Sequence, residues 1–187
     1  MPPEDCWETF FHPSSVLESL GLNRAEGTIV DVGAGYGTFA LAAAHLTGRQ
    51  VVAIDIEPNL IASLARRAKA EQLGNLNPFL RDVVAEGIGL PDGSADIVLL
   101  FNILHCERPN VLLQDARRTL RPGGRVGVLH WRSDVPTPRG PSLDIRPTPD
   151  QCAAWLREAG FDLVAPPQIV PPYHFGLVGQ KPEAGAE

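Results

Sequence analysis

The chain has 187 residues, 44 % hydrophobic and 20 % charged, with a formal net charge of −6, enough for one domain that buries about 70 % of the surface exposed when unfolded. The acidic balance argues against a nucleic-acid surface, where clustered Lys and Arg must meet phosphates. Cys6, Cys106 and Cys152 are odd in number and lack CxxC spacing, which argues against a disulfide framework and against a bound metal, and for reduced thiols in the cytoplasm.

The N-terminus, Met1-Pro2-Pro3-Glu4-Asp5, has neither a basic start nor an apolar core, unlike a secretory signal. No run reaches the roughly 18 apolar residues of a membrane helix, so no membrane partner is expected. A helix is predicted over residues 13–20, with Val16, Leu17 and Leu20 on one side. The first strand, 28–31, ends in an acid and leads into an almost wholly apolar helix over 38–46, which should be buried. A second strand covers 50–55. The helix after it opens near Pro58 and puts Leu60, Ile61, Leu64, Ala68 and Leu73 on one face; Arg66, Arg67 and Lys69 read as its solvated face.

The third strand, 76–82, contains Pro78, which suits an edge. The fourth, 95–101, carries the continuous run Ile97-Val98-Leu99-Leu100 and should be buried on both faces. A helix over 109–120 stops at Arg121-Pro122-Gly123-Gly124, and a fifth strand covers 125–131. After a proline-rich stretch, Thr148-Pro149-Asp150-Gln151 has the form of a capping box opening a helix to Ala159. Two last strands, 161–165 and 173–180, are expected to meet across Pro171-Pro172. Strands alternating with helices predict an α/β fold with a largely parallel sheet. The whole chain, 1–187, reads as one domain, with 1–27 a helical lead-in and 182–187 a flexible tail.

The stretch Ile29-Val30-Asp31-Val32-Gly33-Ala34-Gly35-Tyr36-Gly37 carries the strongest chemical signal. A strand feeding a glycine turn and a helix start is a cofactor edge, because bare backbone admits close approach. The spacing is G-x-G-x-G, whereas the dinucleotide fingerprint, G-x-G-x-x-G, would need glycine at Thr38. Asp31 would also repel a pyrophosphate placed at the helix start. It suits a ligand with an ammonium group.

This segment resembles motif I of the class I S-adenosylmethionine-dependent methyltransferases, and the element order over residues 10–180 is similar to theirs. The resemblance implies a Rossmann-like, seven-stranded, mostly parallel sheet with one antiparallel strand and helices on both faces. It implies S-adenosyl-L-methionine as cofactor and S-adenosyl-L-homocysteine as product. Asp31, Gly33, Ala34, Gly35, Tyr36 and Gly37 would hold the methionine part, and Asp55 the ribose hydroxyls, with Ile56 packed on adenine. Asp55 can alternatively be a helix-start acid. Asp82, with Val83 beside it, corresponds to the acid that reaches the adenine amino group. An ungapped count back from Pro91-Asp92-Gly93-Ser94 puts that acid at Val84 instead, so a surface-loop acid is the competing reading.

Phe101 and the Asn102 backbone match the segment beside the sulfonium. His105 is then the candidate catalytic base, against a core or helix-start histidine; Cys106 beside it reads as an inert thiol. His130, Trp131 and Tyr173 converge on one sheet edge if the last strands form a hairpin, and would wall a substrate pocket, although Trp131 can equally anchor the proline-rich loop. His45 reads as structural. The expected partner is a small-molecule substrate and not nucleic acid, handled by a cytoplasmic monomer or homodimer. The sequence is similar to small stand-alone enzymes of ubiquinone and menaquinone biosynthesis. The competing functions are an NAD(P)-dependent oxidoreductase, opposed by the glycine spacing and Asp31, and a non-catalytic S-adenosylmethionine-binding protein on the same fold.

Overall fold

Seven consecutive buried residues, Ala95–Phe101, form the middle strand of the sheet in a computed structural model that describes residues 12–183 and 185. The strands are β1 (Thr28–Val32), β2 (Val51–Asp55), β3 (Leu76–Leu80), β4 (Ala95–Phe101), β5 (Leu120–Trp131), β6 (Asp162–Leu163), β7 (Gln168–Val170) and β8 (His174–Gln180). The helices are α1 (Pro13–Ser19), α2 (Thr38–Thr47), α3 (Pro58–Ala70), α4 (Val83–Glu86), α5 (Pro109–Thr119) and α6 (Pro149–Glu158), with a 3-10 turn at Leu143–Ile145. Residues 1–11 of the expected lead-in, including Cys6, and residues 184, 186 and 187 of the expected tail lie outside the described residues.

The sheet order is β3-β2-β1-β4-β5-β8-β6, with β7 also paired to β8. Strands β1 to β5 run parallel, and β8 lies antiparallel to β5, β6 and β7. The expected α/β sheet is therefore present, with one refinement. Its seventh position is shared by two short strands: β6 pairs with Gln180 and Gly179, while β7 pairs with residues 174–176. The strands that meet across Pro171-Pro172 are thus β7 and β8; β6 is separate. Pro78 lies on an edge, as expected for a residue without a ladder donor, and pairs with Ala53.

Alternation along β4 explains why it is apolar apart from Asp96, near its start, whose carboxylate pairs with Arg121. Ile97, Leu99 and Phe101 enter one core layer with Leu17, Phe39 and Leu64. Ala95, Val98 and Leu100 enter the opposite layer with Leu112, Leu113 and Leu156. A strand covered by helices on both faces has no solvated side on which to place polar residues. Helices α1, α3, α5 and α6 open with proline in the first turn, where its missing N–H is not needed. The Thr148–Gln151 capping box forms in both directions. Several boundaries differ from expectation: α3 ends at Ala70, so Leu73 lies beyond the helix, and β6 is cut to Asp162–Leu163. β3 ends at Leu80, because Asp82 caps the short helix α4. β5 begins at Leu120, whose pairing with Ala95 extends the ladder past an irregularity.

Candidate functional site

The ends of the parallel strands build a cleft of about 330 Å³ floored by Asp31 and the glycine loop and walled by Phe39, Phe101, Asn102, His105 and Trp131. β1 sits between β2 and β4, and the chain turns away from the sheet after Val32. The Gly33 and Ala34 amides both donate to the Ile54 carbonyl, at 2.8 and 2.9 Å, which ties the turn to β2. Gly33 has φ of 73° and a Cβ there would come within 2.8 Å of Ile103 Cδ1. Gly37, at φ of 83°, is the N-cap of α2 and lies against Leu64, leaving no room for a side chain. Close approach of backbone is what these two glycines make possible.

Two carboxylates meet this loop. Asp55 accepts from the Gly35 amide at 2.7 Å and from the Glu57 amide at 2.9 Å. It therefore braces the glycine turn and the start of α3 together, so the helix-start role is present in addition to a bond to the glycine loop. Asp31 is 3 % exposed. Burial first, then repulsion from Asp55, raise its pKa to about 7, against the Ala40 backbone N–H, which lowers it. Among the described residues no Lys, Arg or His pairs with Asp31. A buried carboxylate without a cation is an unfavourable arrangement that a positively charged ligand would relieve.

Beyond the cleft proper, Ile56 is 58 % exposed, an apolar side chain left in solvent directly after Asp55. Asp82 accepts from the amides of Val84 and Ala85 through a single oxygen, Oδ1. Val83 is buried. Asn102 has a positive φ of 55°, and its Oδ1 is buried without a hydrogen-bond partner among the described residues. Phe101 stacks edge-on against Phe39, with ring centroids 4.6 Å apart.

The other wall corrects two expectations. His130 does not line this cleft; it is wholly buried behind His105, because it lies within the ladder of β5 against Phe175 of β8. Tyr173 does not line it either, and stacks on the indole of Trp131 at 6.5 Å. Trp131 does reach the cleft and also carries the proline-rich loop. Arg146 lies over its ring at 5.6 Å and donates to the carbonyls of Pro141, Arg132 and Arg139 and to the Thr137 hydroxyl. That buried guanidinium gathers the irregular segment into a roof whose Gly140 and Pro141 face the cleft. Nothing in the sequence marked Arg146, since an arginine among prolines has no periodicity to betray burial.

Arg67 departs from the reading as solvated face. It is half-buried and donates to the Tyr36 carbonyl of the glycine loop at 3.3 Å. Arg66 and Lys69 are exposed, as expected. His45 is exposed and pairs with Glu71 at 2.8 Å. Cys106 is half-buried and its thiol pKa is raised by burial, with the amides of Arg108 and Cys106 opposing; an inert thiol fits that setting.

Residues 29–124 match the sequence profile of the methyltransferase domain family. The chain belongs to that family. Its mostly parallel sheet with antiparallel β8 is the class I methyltransferase architecture. The chain is similar to a ribosomal protein L11 methyltransferase of Methylococcus capsulatus, 34 % identical over 142 residues, which cover 72 % of this chain and 46 % of that protein. An uncharacterized methyltransferase of Mycobacterium tuberculosis is 30 % identical over 149 residues, 80 % of this chain and 51 % of the relative. The chain thus spans about half the length of these relatives. Among solved structures, a SAM-dependent methyltransferase from Aquifex aeolicus superimposes with a TM-score of 0.82 at 22 % identity, over 91 % of this chain and 90 % of the other. The [4+2]-cyclase SpnF does so at 0.79 and 18 %, over 91 % and 81 %. The shared fold therefore carries more than one reaction. Among the described residues no helix is long and apolar enough to cross a membrane, and no group of His, Cys, Asp and Glu is placed to hold a metal.

Proposed function

We propose that this domain is an S-adenosyl-L-methionine-dependent methyltransferase acting on a small-molecule acceptor in the cytoplasm and releasing S-adenosyl-L-homocysteine. The observation that carries the reading is Asp31, a buried carboxylate with no cation paired to it among the described residues, on the floor of an open cleft. An ammonium group there is favoured and a pyrophosphate opposed, which disfavours a nicotinamide dinucleotide. Asn102, whose positive φ turns the chain at the end of β4, lines the same cleft.

The residues present fit the cofactor. Asp31 would hold the ammonium, and Gly33, Ala34, Gly35, Tyr36 and Gly37 would present backbone along the methionine chain. Asp55 keeps lone pairs for the ribose hydroxyls beyond its two amide bonds. Exposed Ile56 would cover adenine, and Asp82, with Val83, would meet the adenine edge through its free Oδ2. Phe101 and Asn102 would line the sulfur side. When bound, the cofactor supplies an electrophilic methyl group. The domain's own contribution is alignment and exclusion of water, and positioning of this kind is worth about 7–11 kcal/mol of barrier. His105 would take a proton from an acceptor that enters protonated; its pKa is lowered by burial and then by Arg146, so the ring is neutral at pH 7.

The roof of Gly140 and Pro141 over Trp131 favours a compact acceptor, with Tyr173 and His130 supporting the wall from behind. Calorimetric titration tests the cofactor: S-adenosylmethionine and S-adenosylhomocysteine are expected to bind, and NADH is not. Tight NADH binding without S-adenosylmethionine binding would overturn the reading. For the acceptor, labelled S-adenosylmethionine added to a cell extract is expected to label the low-molecular-weight fraction. Label found in ribosomal protein instead would overturn the small-molecule assignment. A monomer or homodimer is expected in sedimentation.

A further inference from the structure

His105 meets the cleft at one end of a hydrogen-bonded chain. Its Nδ1 lies 3.3 Å from Nε2 of His130, and Nδ1 of His130 lies 3.2 Å from the Trp131 carbonyl oxygen. A carbonyl only accepts, so Nδ1 of His130 carries the hydrogen. His130 is wholly buried, and burial lowers its pKa to about 4; the Trp131 bond opposes this, while His105 and Arg146 add to it. A neutral ring with its hydrogen on Nδ1 has a bare Nε2, and that atom can only accept. His105 must then donate from Nδ1, which leaves its own Nε2 without a hydrogen.

We propose that His130 is a positioning residue, holding His105 in the tautomer whose bare Nε2 takes a proton from an acceptor in the cleft. The proposal rests on the methyltransferase reading above. In the balanced step, the acceptor's X–H bond yields its proton to Nε2 and its electron pair forms the X–C bond. The C–S pair stays with sulfur, and the imidazolium then returns its proton to water. Arg146 faces both rings, His174 of β8 faces His130, and Cys106 flanks His105. Among the described residues no carboxylate pairs with either ring. The second imidazole therefore fixes a tautomer without adding the negative charge that a carboxylate would bring.

The test is nitrogen NMR of histidine-labelled protein saturated with S-adenosylhomocysteine. In the wild type, His105 is expected to show a protonated Nδ1 and a bare Nε2. His130→Phe keeps the bulk and removes the acceptor, so the His105 signal is expected to become a tautomer mixture and its titration midpoint to fall. His130→Gln offers a carbonyl oxygen in nearly the same place and is expected to restore the wild-type tautomer. A wild-type His105 protonated on Nε2 would overturn the proposal, and that measurement needs no variant to fold. A His130→Phe spectrum unchanged at His105 would overturn it too. Absence of S-adenosylhomocysteine binding by the wild type would instead overturn the methyltransferase reading, so the two failures are distinguishable.

Discussion

The two halves of the cleft are made in different ways. The cofactor half comes from adjoining strand ends and one continuous stretch, residues 29–37, whose backbone is fixed by hydrogen bonds to β2 and by positive φ at its glycines. The acceptor half is gathered from the ends of β4 and β5, the latter backed by β8, and an irregular loop held by one buried guanidinium. Main-chain geometry shapes the first; buried polar side chains shape the second. Changes to the first should therefore abolish binding while sparing the fold, and changes to the second should loosen the structure while sparing the cofactor.

The largest effect is expected from Gly35→Val. Its φ of 58° is closed to a β-branched residue without strain, and its amide is the one that Asp55 accepts. S-adenosylhomocysteine affinity is expected to fall by at least about 100-fold, or about 2.7 kcal/mol, with circular dichroism unchanged. Affinity near wild type would remove the glycine turn from the site and end the contrast between the halves.

Asp31 gives the next effect and fixes its pH sign. Its folded pKa is raised to about 7 from the ordinary carboxyl value of 3.8. Without ligand, its contribution to stability is whole below the unfolded value and is lost as pH rises through 7. A bound cation reverses this by favouring the carboxylate, so binding releases a proton. S-adenosylhomocysteine affinity is expected to climb about tenfold per pH unit below 7 and then level off. Asp31→Asn is expected to remove that slope and to raise the melting temperature of the free protein at pH 8. A slope retained in the Asn variant would assign the pH dependence to another group.

The same contrast explains what could be read from residue order. The glycine turn, Asp31, Asp55, the buried middle strand and the α6 capping box are local patterns, each set by neighbours within a few positions. The split seventh sheet position was not legible, because β6 and β7 are two- and three-residue strands whose existence depends on β8. His130 read as a pocket residue because a strand-end histidine points to one face or the other, and only the depth of packing decides which. Arg67 and Arg146 were missed for a shared reason. A long side chain can leave a polar segment and bury its head on distant carbonyls, and no spacing rule records that.

Arg146 sharpens the comparison from the other half. Arg146→Ala removes a fork that serves three carbonyls and a hydroxyl, and is expected to destabilise the domain by about 2–3 kcal/mol. Arg146→Lys should recover little of this, since an ammonium cannot reproduce the planar fork. S-adenosylhomocysteine affinity should change less than about threefold in both, because Asp31 and the glycine loop keep their own supports. Thermal melts together with calorimetry separate the outcomes, and a large loss of cofactor affinity would show that the halves are not independent.

The smallest effect tests Asp82, whose readings as adenine contact and surface-loop acid compete. Asp82 caps α4 through Oδ1 alone, leaving Oδ2 able to accept from an amino group on the ligand. Asp82→Asn keeps a cap of equal quality but can place an amide NH2 where Oδ2 stood, donor against donor. If Asp82 meets the adenine amino group, S-adenosylhomocysteine affinity is expected to fall about tenfold, or about 1.4 kcal/mol, with the melting temperature unchanged. Asp82→Ala would lose the cap as well and cost about 1 kcal/mol of stability. An Asn variant that binds normally, beside an Ala variant that only melts earlier, would make Asp82 a helix cap and return the adenine contact to the residues of the ungapped count.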